Sequence, residues 1–311
     1  MNRLIQGVRT ALRNLSVSPA RAKRSRYRPS LESLEGRSVP AAFSFSTGLP
    51  DGQMAVASQP AAGRIEIEAA DDFILAARTQ LNHASFTGLL PAGTKASDVK
   101  DVVVEIYRVF GKDSNLARTP HVPTRANSPS DVAFADREAG SGLSFGLQVL
   151  NPHFVAANSV VNGIHPSPHQ RTGGEGRVSG EEVRFNVTFN TPLTLPADHY
   201  FFVPQVQLKG GNGHFLWLSA PPKQFAGDLQ AWVRNDKLQP DWLRVGTDIV
   251  GGPVAPTFNA SFSLTGQTVS GLPRTSVSGV IGSPSTPQAG QAASNPDGLA
   301  GVLAALLKEH R

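Results

Sequence analysis

Residues 182–189 alternate strictly, with Val183, Phe185, Val187 and Phe189 on one side and Arg184, Asn186 and Thr188 on the other. A period of two over that length excludes a helix and marks a strand with one buried face. A turn-rich connection, residues 191–198, leads into a second apolar run at 200–208. The glycine turn at 210–213 then leads into a third run at 214–219. Three apolar runs joined by turn residues predict three consecutive antiparallel strands, a meander at the centre of the core. Trp217 alternates with leucines and belongs to that core.

The same short period recurs on both sides of this stretch. Strands are expected at 64–68, 71–75, 81–89, 102–110 and 142–149, then at 229–234, 242–245 and 257–264. In the last of these, Phe258, Ala260, Phe262 and Leu264 share a face. No helical periodicity of ordinary length interrupts residues 43–266, and no repeat is visible. About ten short strands with turns rich in Gly and Pro predict an all-β fold, a two-sheet β-sandwich of jelly-roll type with long loops. The chain has no cysteine, so disulfide frameworks, thiolate metal sites and cysteine nucleophiles are all excluded.

Outside 43–266 the composition changes. Residues 1–42 form a basic tail, residues 267–296 are Ser, Gly, Pro, Thr and Ala with little to bury, and residues 297–311 carry Leu299, Val302, Leu303, Leu306 and Leu307 at helical spacing. The expected organisation is a sandwich with disordered ends and a short amphipathic C-terminal helix too short to span a membrane. Charge follows the same division. Residues 1–40 hold nine of the 29 Lys and Arg but two of the 24 Asp and Glu, leaving 20 basic against 22 acidic side chains elsewhere. The pI near 9.7 therefore comes from the tail, and no nucleic acid is expected as a partner of the folded body.

Residues 24–41 run from a basic stretch through Leu31, Glu32, Leu34, Glu35 and Arg37 into small residues. This order resembles the N-terminal motif of extracellular proteins of planctomycete bacteria, with Gly36 where Asp is more usual. The resemblance implies export to the cell surface or beyond. Segments of the body, among them 71–73, 109–114, 118–125, 196–205 and 240–248, resemble uncharacterised secreted bacterial proteins akin to jelly-roll modules that precede surface-sorting signals. No activity and no catalytic residue follow from that likeness.

Enzymatic motifs are absent: there is no Gly-x-Ser-x-Gly, no His-Glu-x-x-His, and the glycines of 172–176 lack the Lys of a phosphate loop. His165 and His169 are separated by prolines that forbid a helix, although an extended loop could present both to a metal together with His153 or His199. Aspartates fall at strand ends and in loops: Asp71, Asp72, Asp113, Asp131, Asp136, Asp198, Asp241 and Asp248. Of these, Asp71, Asp72, Asp113 and Asp131 are candidate ligands of a structural calcium ion, or else turn caps. Arg118 and Arg125 lie in the long irregular stretch 111–130, where they either pin the loop to Asp113 and Asp131 or remain available to an anionic ligand. Trp232 and Trp242 flank a turn and are candidates for stacking on a sugar ring. The expectation is an extracellular structural or binding module, with a cell-surface glycan or other envelope component as partner. A secreted hydrolase acting on polysaccharide through loop carboxylates is the alternative.

Overall fold

The computed structural model describes residues 40–114, 126–164, 171–210, 213–221 and 225–269. The basic tail up to residue 39 and the chain beyond residue 269, with its amphipathic segment, lie outside them, while residues 267 and 268, expected in the C-terminal tail, belong to the last strand. The described chain forms fifteen strands: β1 (Ala42–Ser46), β2 (Met54–Ala57), β3 (Ile67–Leu75), β4 (Thr79–Pro91), β5 (Val99–Arg108), β6 (Ala135–Glu138), β7 (Leu143–Ala156), β8 (Asn158–Val160), β9 (Val178–Leu195), β10 (Asp198–Leu208), β11 (Leu216–Ala220), β12 (Trp232–Asn235), β13 (Leu243–Arg244), β14 (Asn259–Ala260) and β15 (Phe262–Thr268). One 3-10 turn (Ala96–Asp98) and one π turn (Val245–Val250) are the helical elements among the described residues. No described helix is long and apolar enough to cross a membrane.

The strands form two packed sheets, mostly antiparallel, as the alternating patterns imply. The larger sheet runs β1-β15-β4-β11-β2-β8, with β9 on the other edge of β4, β7 beyond β9, and β14 beside β11. The smaller runs β13-β12-β3-β10-β5-β6. Between them lies the core. Val183, Phe185, Val187 and Phe189 are all buried, as their alternation requires. The ring of Phe185 stacks on Phe86 at 4.7 Å, and Phe202 of one sheet stacks on Phe262 of the other at 5.1 Å.

The expected meander is corrected. The three central runs do not pair with one another: β9 joins the larger sheet, β10 the smaller and β11 the larger again. Leu195 at the end of β9 pairs with Thr79, and Asp198 at the start of β10 pairs with Leu75, so the chain changes sheets in two residues. The connection from β3 to β4, residues 76–78, crosses between the sheets beside it. Periodicity reports which face of a strand is buried but not which sheet the strand belongs to.

The smaller sheet is covered on both sides. A second apolar cluster of Ala70, Tyr107, Phe201, Val203, Trp232 and Trp242 lies on its outer face. This accounts for the nearly continuous apolar character of β10, since a strand buried on both faces has no polar side to alternate with. Part of the cover is the return limb of the long loop. Phe110 N–H donates to Ser128 O at 2.7 Å, Ser130 N–H to Arg108 O at 2.8 Å and Phe134 N–H to Ile106 O at 2.7 Å, so residues 128–134 lie along β5. The backbone groups of this limb thereby find partners that water would otherwise supply.

Candidate functional site

Under that cover lies a dense polar network. Glu68 and Arg234 face each other across β3 and β12, where their backbones pair directly. Arg234 Nε donates to Glu68 Oε2 and Nη2 donates to Glu68 Oε1 at 2.9 Å, a two-point contact between guanidinium and carboxylate. Nη2 also donates to Tyr107 Oη at 2.8 Å, and Nη1 reaches the carbonyls of Asp131 at 3.3 Å and Pro240 at 3.4 Å. All five guanidinium N–H groups are thus used. The plane lies 4.3 Å from the centre of the Trp242 ring. Tyr107 Oη donates to Glu68 Oε1 at 2.7 Å and lies 3.1 Å from Glu105 Oε2. Because its single proton goes to Glu68, the contact with Glu105 is best made by a protonated carboxyl donating to Tyr107. Burial, and then the negative charge of Glu68, push Glu105 from an ordinary 4.5 to about 8, in agreement with that proton count. Every member of the network has a partner, and Glu68 is 1% exposed. Its chemistry is that of a brace holding 128–134 and Pro240 to the sheet.

The residues singled out in the sequence do not assemble into one site. Arg118, Arg125, His165 and His169 lie outside the described residues. Trp232 and Trp242 are 2% and 1% exposed, which corrects their assignment as stacking platforms: both belong to the buried cluster on the outer face of the smaller sheet, and Trp242 Nε1 donates to Ser130 O at 3.3 Å. Asp71 and Asp72 are neighbours on one strand and so point to opposite faces. Asp71 turns into the core and accepts from Ala260 N–H at 2.8 Å, while Asp72 turns outward to His199 Nε2 at 2.5 Å and to Leu229 N–H at 2.9 Å. Asp113 pairs with Arg108 at 3.2 Å, and the carbonyl of Asp131 is engaged by Arg234. Among the described residues, no three His, Asp or Glu side chains converge on a point suited to a metal ion. The four aspartates are therefore not assembled as a calcium site.

Open surface chemistry occurs instead where β3 begins and β12 ends. A cleft of about 650 Å³ lies there, bordered by Arg64, Ile65, Ile164, Asn235, His214 and Lys237. The loop before β3 holds Arg64 in place, with Nη1 donating to Gly213 O at 2.8 Å, while Nη2 is buried and has no acceptor. Gln59 fixes the histidine. Its Nε2 donates to Ile65 O at 2.8 Å, which orients the amide so that Oε1 faces His214 Nδ1 at 2.7 Å. The proton therefore sits on Nδ1, and Nε2 keeps its lone pair. Partial burial, and then the positive charge of Arg64, lower the His214 pKa, so the imidazole is neutral at pH 7. Behind the far wall, formed by Val161 and Asn162, Glu175 Oε1 accepts from Val161 N–H at 2.9 Å, from Asn162 N–H and from Gly163 N–H at 2.9 Å, giving this irregular stretch its shape. A smaller cleft of about 300 Å³ adjoins the first, sharing Gln59 and Arg64 and adding Lys100 and Lys209.

Sequence reasoning passed over Arg64, His214 and Lys237 because nothing in their spacing joins them. Only the pairing of β3 with β12, and the return of the chain at Gly213, brings them together. No protein-family model matches the chain, and neither a curated protein nor a solved structure matches it.

Proposed function

We propose that this protein is an extracellular binding module whose ligand is anionic and of sugar-ring size, held in the cleft between Arg64 and Lys237. The observation that carries the reading is the make-up of the cleft: two cations, a neutral imidazole with a free lone pair, side-chain amides and an apolar wall of Ile65 and Ile164, with no carboxylate among the described residues that line it. A uronate fits this combination. Its carboxylate meets the guanidinium, its hydroxyls meet the amides and the imidazole, and its C–H face meets the isoleucines. The N-terminal stretch containing Leu31, Glu32, Leu34, Glu35 and Arg37 supports placement outside the cell. Stacking by tryptophan contributes nothing here, since neither Trp232 nor Trp242 reaches solvent.

A hydrolase is the second reading, and the observation in its favour is the pair of carboxyl groups of Glu68 and Glu105 on one sheet face, both in contact with Tyr107 Oη. Both groups are consumed by internal hydrogen bonds, which places the binding reading first. Calorimetric titration with galacturonate and with neutral galactose, each also assayed for chemical turnover, tests the choice. Galacturonate is expected to bind and galactose to bind far more weakly. Arg64→Ala is expected to weaken galacturonate about tenfold or more, the value of a charge-assisted hydrogen bond. Equal binding of the two sugars, or an Arg64→Ala variant that binds normally, would sink the reading.

A further inference from the structure

In the smaller sheet, β12, β3, β10 and β5 lie side by side and alternate in direction, so at one end β12 and β10 finish where β3 and β5 begin. A cation stands at each of these four positions. Lys237 follows the end of β12 at Asn235, Arg64 precedes the start of β3 at Ile67, Lys209 directly follows Leu208 of β10, and Lys100 is the second residue of β5. In sheet order they read Lys237, Arg64, Lys209, Lys100. Adjacent strands are about 4.8 Å apart, so the row spans roughly 14 Å. Gln59 and Arg64 border both clefts, so the row runs along two adjoining clefts, taken together as one trough.

The acids of this end do not neutralise the trough from within, because among the described residues no Asp or Glu lines either cleft. The nearby carboxylates are engaged elsewhere. Asp98 accepts from Lys95 N–H at 2.8 Å, Asp101 from Val102 N–H at 2.7 Å and Asp236 from Glu66 N–H at 3.2 Å. Glu175 is held by three successive amides, and Glu66 by the side chains of Gln205 and Gln239. Four cations with no acid among them stand apart from a chain that, beyond residue 40, carries 20 basic and 22 acidic side chains.

We infer that the trough holds an extended acidic polysaccharide, with one anionic ring in the larger cleft and the following rings along Lys209 and Lys100. This rests on the reading of the larger cleft given above and extends it from a single ring to a chain. A polymer with one carboxylate per ring repeats its charge on a scale comparable to the strand spacing, so successive rings meet successive strand ends. A nucleic-acid strand is the weaker match. Single strands are gripped by aromatic stacking alongside the cations, and among the described residues no Phe, Tyr or Trp lines either cleft. Side-chain amides such as Gln59 and Asn235 instead suit the hydroxyls of sugars.

Each exposed cation contributes little alone and is screened by salt. Affinity should therefore grow with chain length and fall with ionic strength. The test is calorimetric titration of the full chain with galacturonate, trigalacturonate and hexagalacturonate at low and moderate salt. The hexamer is expected to bind about tenfold or more tighter than the monomer, with most of that gain lost as salt rises. The exposed pair Lys100→Gln/Lys209→Gln is expected to remove the gain with length at an unchanged melting temperature. If the monomer binds and the hexamer binds no tighter, the extended site is wrong while the single-ring cleft stands. If neither binds, the cleft reading fails and takes this inference with it. If an oligothymidylate of equal charge binds as tightly as the hexamer, the polysaccharide assignment is overturned.

Discussion

Arg234 is the residue on which the outer face of the smaller sheet depends most. Its charge is buried, all its donors are used, and removing it leaves the buried Glu68 carboxylate without its counter-charge, held only by Tyr107 and Gln239. Truncating one member of such a pair costs about 3–5 kcal/mol, whereas replacing both with apolar residues of similar volume costs much less. Arg234→Ala is accordingly expected to lower the urea midpoint sharply, and Arg234→Met combined with Glu68→Leu to recover most of the loss. A double variant as unstable as the single one would mean that the polar contacts to Tyr107, Asp131 and Pro240 matter more than the charge pair. None of this was legible from the residue alone. In the run Trp232-Val233-Arg234, alternation gives Trp and Arg the same side but does not say what covers it. Residues 128–134, distant in sequence, cover that side.

At the scale of elements, strand identity was legible wherever one face meets water and the other meets the core. Residues 182–189 show this, since Arg184, Asn186 and Thr188 stay at the surface while their neighbours are buried. Strand partners were not legible, because the two-residue change of sheet between β9 and β10 leaves the alternation undisturbed. Close approach of elements is equally hidden until the sheets are assembled. β4 meets β11 at Gly88, where an added Cβ would lie 2.0 Å from the Phe215 ring and 2.7 Å from the Leu216 carbonyl oxygen. Gly146 in β7, by contrast, has nothing within 4 Å of such an atom. Gly88→Ala is expected to destabilise by at least about 1–3 kcal/mol through overpacking. Gly146→Ala is expected to be neutral or to stabilise by up to about 1 kcal/mol by restricting the unfolded chain. Denaturant midpoints of the two variants measured side by side check both; equal effects would mean that β4 and β11 can separate without cost. The candidate site shares this dependence on assembly, because Lys237, Arg64, Lys209 and Lys100 become a row only through sheet order.

At the scale of the whole molecule, the distribution of buried acids fixes how stability responds to pH. Asp71, enclosed between the sheets, is raised well above its ordinary value by burial and then by Asp72. Burial raises Asp72 to about 6 despite its bond to His199, and Glu105 to about 8 with help from Glu68. Glu66 is raised as well, by burial and then by Glu68. A carboxyl whose folded pKa lies above its unfolded value binds its proton more tightly in the native state. Its contribution is complete below the unfolded pKa, near 4, and is lost as pH rises through the folded value. Two groups act in the opposite sense. Burial opposes ionisation of Asp198, but Lys112 and the N–H of His199 outweigh it, and burial followed by Arg64 lowers His214. These are smaller effects on more exposed side chains, so the raised acids decide the sign. Melting temperature at constant ionic strength is expected to be highest near pH 5 and to fall between pH 6 and 9, the reverse of ordinary acid denaturation. Glu105→Gln, which keeps a donor for Tyr107 and cannot ionise, is expected to remove the part of the fall centred near pH 8. Asp72→Asn is expected to remove the part near pH 6. A melting temperature that rises from pH 5 to 8 would show that these carboxyls are ionised in the folded protein and that the proton assigned to Glu105 is not there.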